Sequence, residues 1–179
     1  DTSTNDMALI LANGKAGNKS IRAGSSAYNK FVEKLTELCL YLAHKIVLDG
    51  EGATKFVTIR VRGAKAKTHA HRIAQSVATS SLVKTALFGQ DPNWGRIIAA
   101  VGYAGVPFNP DKIQILLNGS LLFKNGAPTR GTLQSTLHKK MKNKNIFITI
   151  ELNSGIHSDE VYTCDLSYDY VRINAEYTT

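Results

Sequence analysis

Nowhere in the 179 residues does an apolar run approach the ~20 needed to span a bilayer. No charged stretch followed by an apolar one opens the chain as a secretion signal would. Cysteine is scarce. Cys39 and Cys164 lie far apart and form no metal-type pair, so both are expected to be small core residues in a reducing, cytoplasmic compartment. Basic residues outnumber acidic ones, 22 to 14, for a formal charge of +8. They are scattered, however, and no stripe of basic and aromatic residues accompanies them, so a nucleic-acid partner is not expected. The one dense cluster, Lys139, Lys140, Lys142 and Lys144, ends a predicted helix, where cations oppose the negative pole of the dipole. His69 and His71 are two apart on a predicted helix and do not share a face, which argues against a metal site. There is no internal repeat and no low-complexity segment. The first residue is Asp1 in a polar string, Asp1 to Asp6, so the chain reads as a processed or truncated product whose beginning lies elsewhere.

What is present is an ordinary globular composition, 43% hydrophobic and 20% charged, with enough length for one domain or one lobe of a larger one. Met7 to Ala12 is a short apolar run stopped by Asn13-Gly14, predicting a buried strand and a turn. Gly14 to Gly24 reads as a loop, and Ser25 or Ser26 can cap a helix. Phe31, Leu35, Leu38, Leu42 and Ile46 follow at spacings of three and four, a stripe expected to pack on a sheet. The turn Asp49-Gly50-Glu51-Gly52-Ala53-Thr54-Lys55 comes next. Two glycines flank one carboxylate between a helix and a strand, so a turn fixed from both sides presents Glu51 on an uncrowded backbone.

Beyond it, Val57, Ile59 and Val61 alternate with polar residues in a strand. A second helix is predicted from Thr68 to Gly89, with Ile73 and Val77 inward. Asp91 as N-cap and Pro92 at the first helical position start a third, apolar all round from Ile97 to Val101 and so expected to be buried on more than one face. Its first turn holds Trp94 and Arg96. They could face an anionic ligand, but a core anchor and a structural cation are the preferred roles. Ile113, Ile115 and Leu117 predict a strand, Asn118-Gly119 a turn, and Leu121 to Phe123 another strand. Thr129 to Lys142 should be helical, with Leu133, Leu137 and Met141 inward. Ile146 to Leu152 and Val161 to Leu166 predict an antiparallel hairpin. The aromatic tail, Ser167 to Thr179, should dock through Tyr168, Tyr170, Ile173 and Tyr177. The interleaving implies an α/β architecture with helices layered over a mixed sheet.

Four stretches carry a resemblance spread over essentially the whole chain. They are Asp1–Asp6 with the run to Gly14, Asp49–Lys55, Asp91–Gly105 containing Asp-Pro-Asn-Trp-Gly-Arg, and Tyr170–Thr179 opening with Tyr-Val-Arg-Ile-Asn-Ala. With them the sequence resembles the β chain of ornithine acetyltransferase, the bifunctional glutamate N-acetyltransferase of arginine biosynthesis. That resemblance implies an N-terminal-nucleophile-like fold. It also implies a precursor that cuts itself before a threonine, leaving α and β chains together in an α2β2 heterotetramer. The new N-terminal threonine would carry acetyl from N-acetylornithine to glutamate through an acyl-enzyme, with its own amine as base. Oxyanion donors would steady the tetrahedral intermediate.

In the family, the threonine and a helical segment precede the position of Asp1, while the oxyanion donors and a substrate-binding lysine lie on the α chain. Thr2 and Thr4 belong to the matched polar motif and are not the nucleophile. Residues 1–179 are therefore expected to be most of a β chain, forming one globular unit with that segment and the α chain and carrying no catalytic residue. The resemblance assigns substrate binding to Glu51, Asn174 and Thr179. A carboxylate, an amide and a hydroxyl suit amino-acid substrates. It implies no cofactor, acetyl-CoA entering only as an alternative donor, and no metal, membrane or nucleic acid. Two rivals stand beside this reading: an N-terminal-nucleophile amidohydrolase that releases acetyl to water, and, more distantly, a basic nucleic-acid-binding module.

Overall fold

The computed structural model describes residues 7–129 and 134–176. The chain divides into two compact units, Thr2–Ile46 and Val47–Thr179. Six helices and six strands are formed among the described residues.

In the second unit the strands are β1 (Phe56–Ala64), β2 (Gln114–Leu117), β3 (Ser120–Lys124), β4 (Ala127–Pro128), β5 (Asn145–Glu151) and β6 (His157–Cys164). They make one mixed sheet in the order β4-β3-β2-β5-β1-β6, with β1 and β5 parallel and the other pairs antiparallel. Registry follows the period of two. Val61, Ile150 and Ile115 sit opposite one another across three strands, as do Ile59, Ile148 and Leu117. All six are at most 1% exposed. Burying each such side chain stabilises by about 1.5–3 kcal/mol, so slipping one strand by a single residue would forfeit several of these at once. On the opposite face Arg60 pairs with Glu160 at 2.6 Å and Arg62 with Glu151 at 2.8 Å.

Helices α2 (Lys67–Thr79), α3 (Ser81–Phe88) and α4 (Trp94–Tyr103) follow β1, and α2 lies against β1 and β6 with α4 against α2. Ala70, Ile73, Ala74 and Val77 enter the same core as the sheet rows. Short α5 (Gln134–Met141) leads into β5, burying Leu137 and Met141. The α/β architecture, helices over a mixed sheet, is the one read from the sequence.

Several local expectations are overturned. The predicted hairpin does not form, because β1 is inserted between β5 and β6 and takes the ladder of both. The single helix expected over 68–89 is two. Ser80 leaves helical geometry at ψ 112°, and its side chain accepts from Val83 N to cap α3. The cap of α4 is Asn93, whose Oδ1 accepts from Arg96 N at 3.0 Å; Asp91 lies outside the helix and accepts from Asn93 Nδ2. That helix buries Ile97, Ala100 and Val101 but exposes Ala99, Gly102 and Tyr103, so it is covered on one side only. Of the helix expected from Thr129, α5 is described from Gln134 on, residues 130–133 lie outside the described residues, and Thr129 itself is not helical. Thr129 instead extends the β3 edge by bonding Leu122 O and Leu121 O, and Leu133 lies outside the described residues.

The first unit holds almost all of α1 (Ser26–Leu48), capped by Ser25, whose Oγ accepts from Tyr28 N. Its stripe is helical as predicted but not buried. Phe31, Leu38, Leu42 and Ile46 are exposed, and so is Cys39, against the expectation of a core cysteine; Cys164 is buried. Met7 to Leu11 is exposed and not a strand.

Candidate functional site

Trp94 and Arg96 take the structural roles. Trp94 stacks on Phe123 with ring centroids 5.2 Å apart, and Arg96 Nη1 donates to Leu82 O and Thr85 Oγ1 on α3. His71 faces Asp159 at 2.8 Å. Among the described residues, no three His, Cys, Asp or Glu side chains converge on one point. Lys140, from the basic cluster, reaches Asn118 O and Ser120 Oγ and so braces the β2–β3 turn, where a merely solvated helix end was expected.

The Asp49–Lys55 turn is different, because the far end of the chain closes on it. Ala53 N donates to Gly50 O at 2.9 Å, and Gly52 takes φ +64°. A Cβ on Gly52 would lie 2.7 Å from both Ser167 Oγ and Tyr170 N, so only glycine permits this approach. The approaching element is α6 (Tyr168–Glu176), preceded by Asp165, Leu166 and Ser167 at the end of β6.

Three polar side chains make the closure. Asp165, 2% exposed, accepts from Thr54 N at 2.8 Å, Lys55 N at 2.9 Å and the Thr54 hydroxyl. Three donors on one carboxylate offset the cost of burying its charge. Ser167, 4% exposed, donates its hydroxyl to Gly52 O at 2.6 Å and accepts from Tyr170 N, the N-cap arrangement for α6. Asn174, one turn of helix beyond Tyr170, donates Nδ2 to Glu51 Oε2 at 2.8 Å and to Tyr170 O at 2.9 Å. Lys55 points the other way, into the protein, where Nζ donates to Met141 O at the end of α5 and to Asn143 O just beyond it. Burial lowers its pKa from 10.5, and the charge of Asp165 opposes that shift.

Two of the three expected substrate residues, Glu51 and Asn174, are therefore in contact, and both are exposed. Thr179 lies outside the described residues. The tail is held by these polar contacts, and of the expected apolar grip Tyr168 supplies an aromatic contact and Tyr170 is half-buried. No residue of α6 is buried, and Tyr168 touches Phe88 edge-on while 84% exposed; Tyr177 is outside the described residues. Sequence reading missed Asp165 and Ser167. The available signal was a serine standing directly before a short amphipathic run, which is an N-cap pattern. As it stands, the arrangement presents a carboxylate oriented by a primary amide on an open surface. With both amide protons of Asn174 engaged, the pair offers acceptor oxygens, which suit the ammonium group of an amino acid.

Comparison with known proteins finds relatives over the whole chain. The ArgJ family matches residues 1–179. The arginine biosynthesis bifunctional protein ArgJ of Desulfotalea psychrophila is 50% identical over 177 residues, covering 99% of this chain and 45% of the relative. A glutamate N-acetyltransferase of Methanocaldococcus jannaschii is 46% identical over 186 residues, covering all of this chain and 45% of the relative. The crystal structure of the arginine biosynthesis bifunctional protein argJ from Bacillus halodurans superposes with a TM-score of 0.90 at 38% identity, covering 99% of this chain and 83% of that one. The chain spans a little under half the length of the curated relatives it matches.

Proposed function

The chain belongs to the ArgJ family, and we propose that, joined to the rest of the length its relatives have, it takes part in acetyl transfer from N-acetylornithine to glutamate. The observation that carries this reading is the contact between Asn174 and Glu51, which unites two expected substrate residues on one open surface. The relatives' names, bifunctional ArgJ and glutamate N-acetyltransferase, support it. The reaction belongs to arginine biosynthesis.

The transfer runs in two balanced steps. A threonine hydroxyl outside these residues attacks the acetyl carbonyl of N-acetylornithine, forming an acetyl ester and releasing ornithine as the protonated amine leaves. The amine of glutamate then attacks that ester and regenerates the hydroxyl. In both steps this chain binds and orients: Glu51 takes the substrate's ammonium group, Asn174 holds Glu51, and Thr179 adds a hydroxyl. No cofactor or metal is required, since acetyl passes directly between amino acids, and acetyl-CoA is an alternative donor.

The proposed partner is the α chain of the same precursor, within an α2β2 heterotetramer. The apolar residues left exposed along α1 support a partner of that kind. No helix among the described residues is long and apolar enough to cross a membrane, and the proposed location is the cytoplasm.

The test is to express the full-length protein and incubate it with N-acetylornithine with and without glutamate. Ornithine release that needs glutamate, with an acetyl-sized mass increase on a threonine when glutamate is withheld, is the expected result. Steady release of free acetate without an acceptor would make the protein an amidohydrolase.

A further inference from the structure

The Glu51 turn and α6 are separate elements, and their meeting is set by the three residues between β6 and α6. We propose that Ser167 is a positioning residue for Glu51, holding the carboxylate at its working distance from Asn174. The proposal rests on the substrate-site reading of Glu51.

Of the three residues between β6 and α6, Ser167 is the one whose side chain bonds to both elements. Its proton goes to Gly52 O, directly after Glu51, at 2.6 Å, and its oxygen receives Tyr170 N at 3.2 Å. Tyr170 O in turn receives Asn174 Nδ2, the same group that holds Glu51 Oε2. A loop of hydrogen bonds therefore runs from Glu51 through Asn174, Tyr170 and Ser167 back to Gly52. Asp165, two residues earlier, clamps Thr54 and Lys55 from the same strand end, so the serine is fixed relative to both sides of the turn. The backbone contact at Gly52 leaves no slack, as the distances to a virtual Cβ show. Glu51 and Asn174 are themselves exposed, whereas the Ser167 link between their elements is buried.

A helix cap alone would affect stability and nothing else. A positioning role makes a further demand: the loss on removing the hydroxyl must depend on the Glu51 carboxylate being present. Ser167→Ala, Ser167→Gly and Ser167→Thr are made in the full-length protein, each in the parent and in a Glu51→Gln background, and kcat, KM and melting are measured for all. Glycine is tolerated at N-caps far better than alanine, so it keeps the test open if the alanine variant folds poorly. In the parent, Ala and Gly should raise KM for the amino-acid substrates about tenfold with kcat changed about twofold or less, and Thr should restore KM. In the Glu51→Gln background the same changes should cost about threefold or less. Equal losses in both backgrounds would reduce Ser167 to a helix cap and overturn the proposal while leaving the substrate site standing. If Glu51→Gln by itself has no effect, the substrate-site reading fails and takes the proposal with it.

Discussion

Asn174 donates to the Glu51 carboxylate at 2.8 Å across 123 residues of sequence, joining the last described helix to the turn before β1. The contact is polar, exposed and charge-assisted, the kind whose loss affects ligand handling more than folding. Glu51→Gln keeps the shape and an oxygen for Asn174 but removes the charge. It should lower kcat/KM for ornithine and glutamate derivatives by about 1.5–3 kcal/mol of binding free energy, with an unchanged melting temperature. Asn174→Asp should be worse than Asn174→Ala, since it sets two carboxylates against each other. Equal kinetics for those two variants would remove the contact from the site.

Gly52 and Gly102 make a pair of opposite sign. Gly52→Ala meets both a left-handed backbone and overlap with Tyr170 N, and should cost about 2 kcal/mol or more. Gly102 lies on the exposed side of α4 with open space around it, so Gly102→Ala should stabilise by up to about 1 kcal/mol. Melting temperatures moving the same way in both variants would contradict the close approach at Gly52.

Lys55 gives a pH dependence whose sign can be worked out. Burial holds its folded-state pKa below the unfolded 10.5. Between those two values the unfolded chain binds more protons, so this group's contribution to stability rises with pH in that window and is smallest below it. Lys55→Met lacks the effect. The stability difference between parent and variant should therefore shift in the parent's favour as pH climbs towards 10.5. Denaturant titrations over that range showing the opposite slope would place the ammonium in a different environment.

The isolated 179-residue chain should have no acetyltransferase activity and should self-associate. Phe31, Leu38, Tyr41 and Leu42 on α1 and Met7, Leu9, Ile10 and Leu11 before it are all exposed. Co-expression with the remaining part of the protein should give a soluble complex and restore turnover. A monodisperse, dye-negative isolated chain by light scattering and fluorescence would count against partner docking there.

The core rows were legible residue by residue. Val57, Ile59 and Val61, and Ile146, Ile148 and Ile150, announce strands because a pleated backbone alternates its faces, and that alternation is local. The turn at Glu51 was legible for the same reason, since its two glycines and flanking elements are all contiguous. Helix boundaries were less so: Asp91, Asn93 and Ser80 are all good caps, and tertiary packing chose which of them served.

Sequence by itself determined the secondary structure of the central elements, the α/β class and, through four motif stretches, the family and two residues of the candidate site. Tertiary structure alone decided that β1 separates β5 from β6, because a period of two says which face a strand buries and nothing about its neighbour. It alone decided that Asp165 and Ser167 close the Glu51 turn, because a hydrogen bond between residues more than 100 apart leaves no periodic trace in either segment. It also decided that the α1 stripe stays uncovered among these residues, since amphipathicity requires a partner surface without saying which chain supplies it.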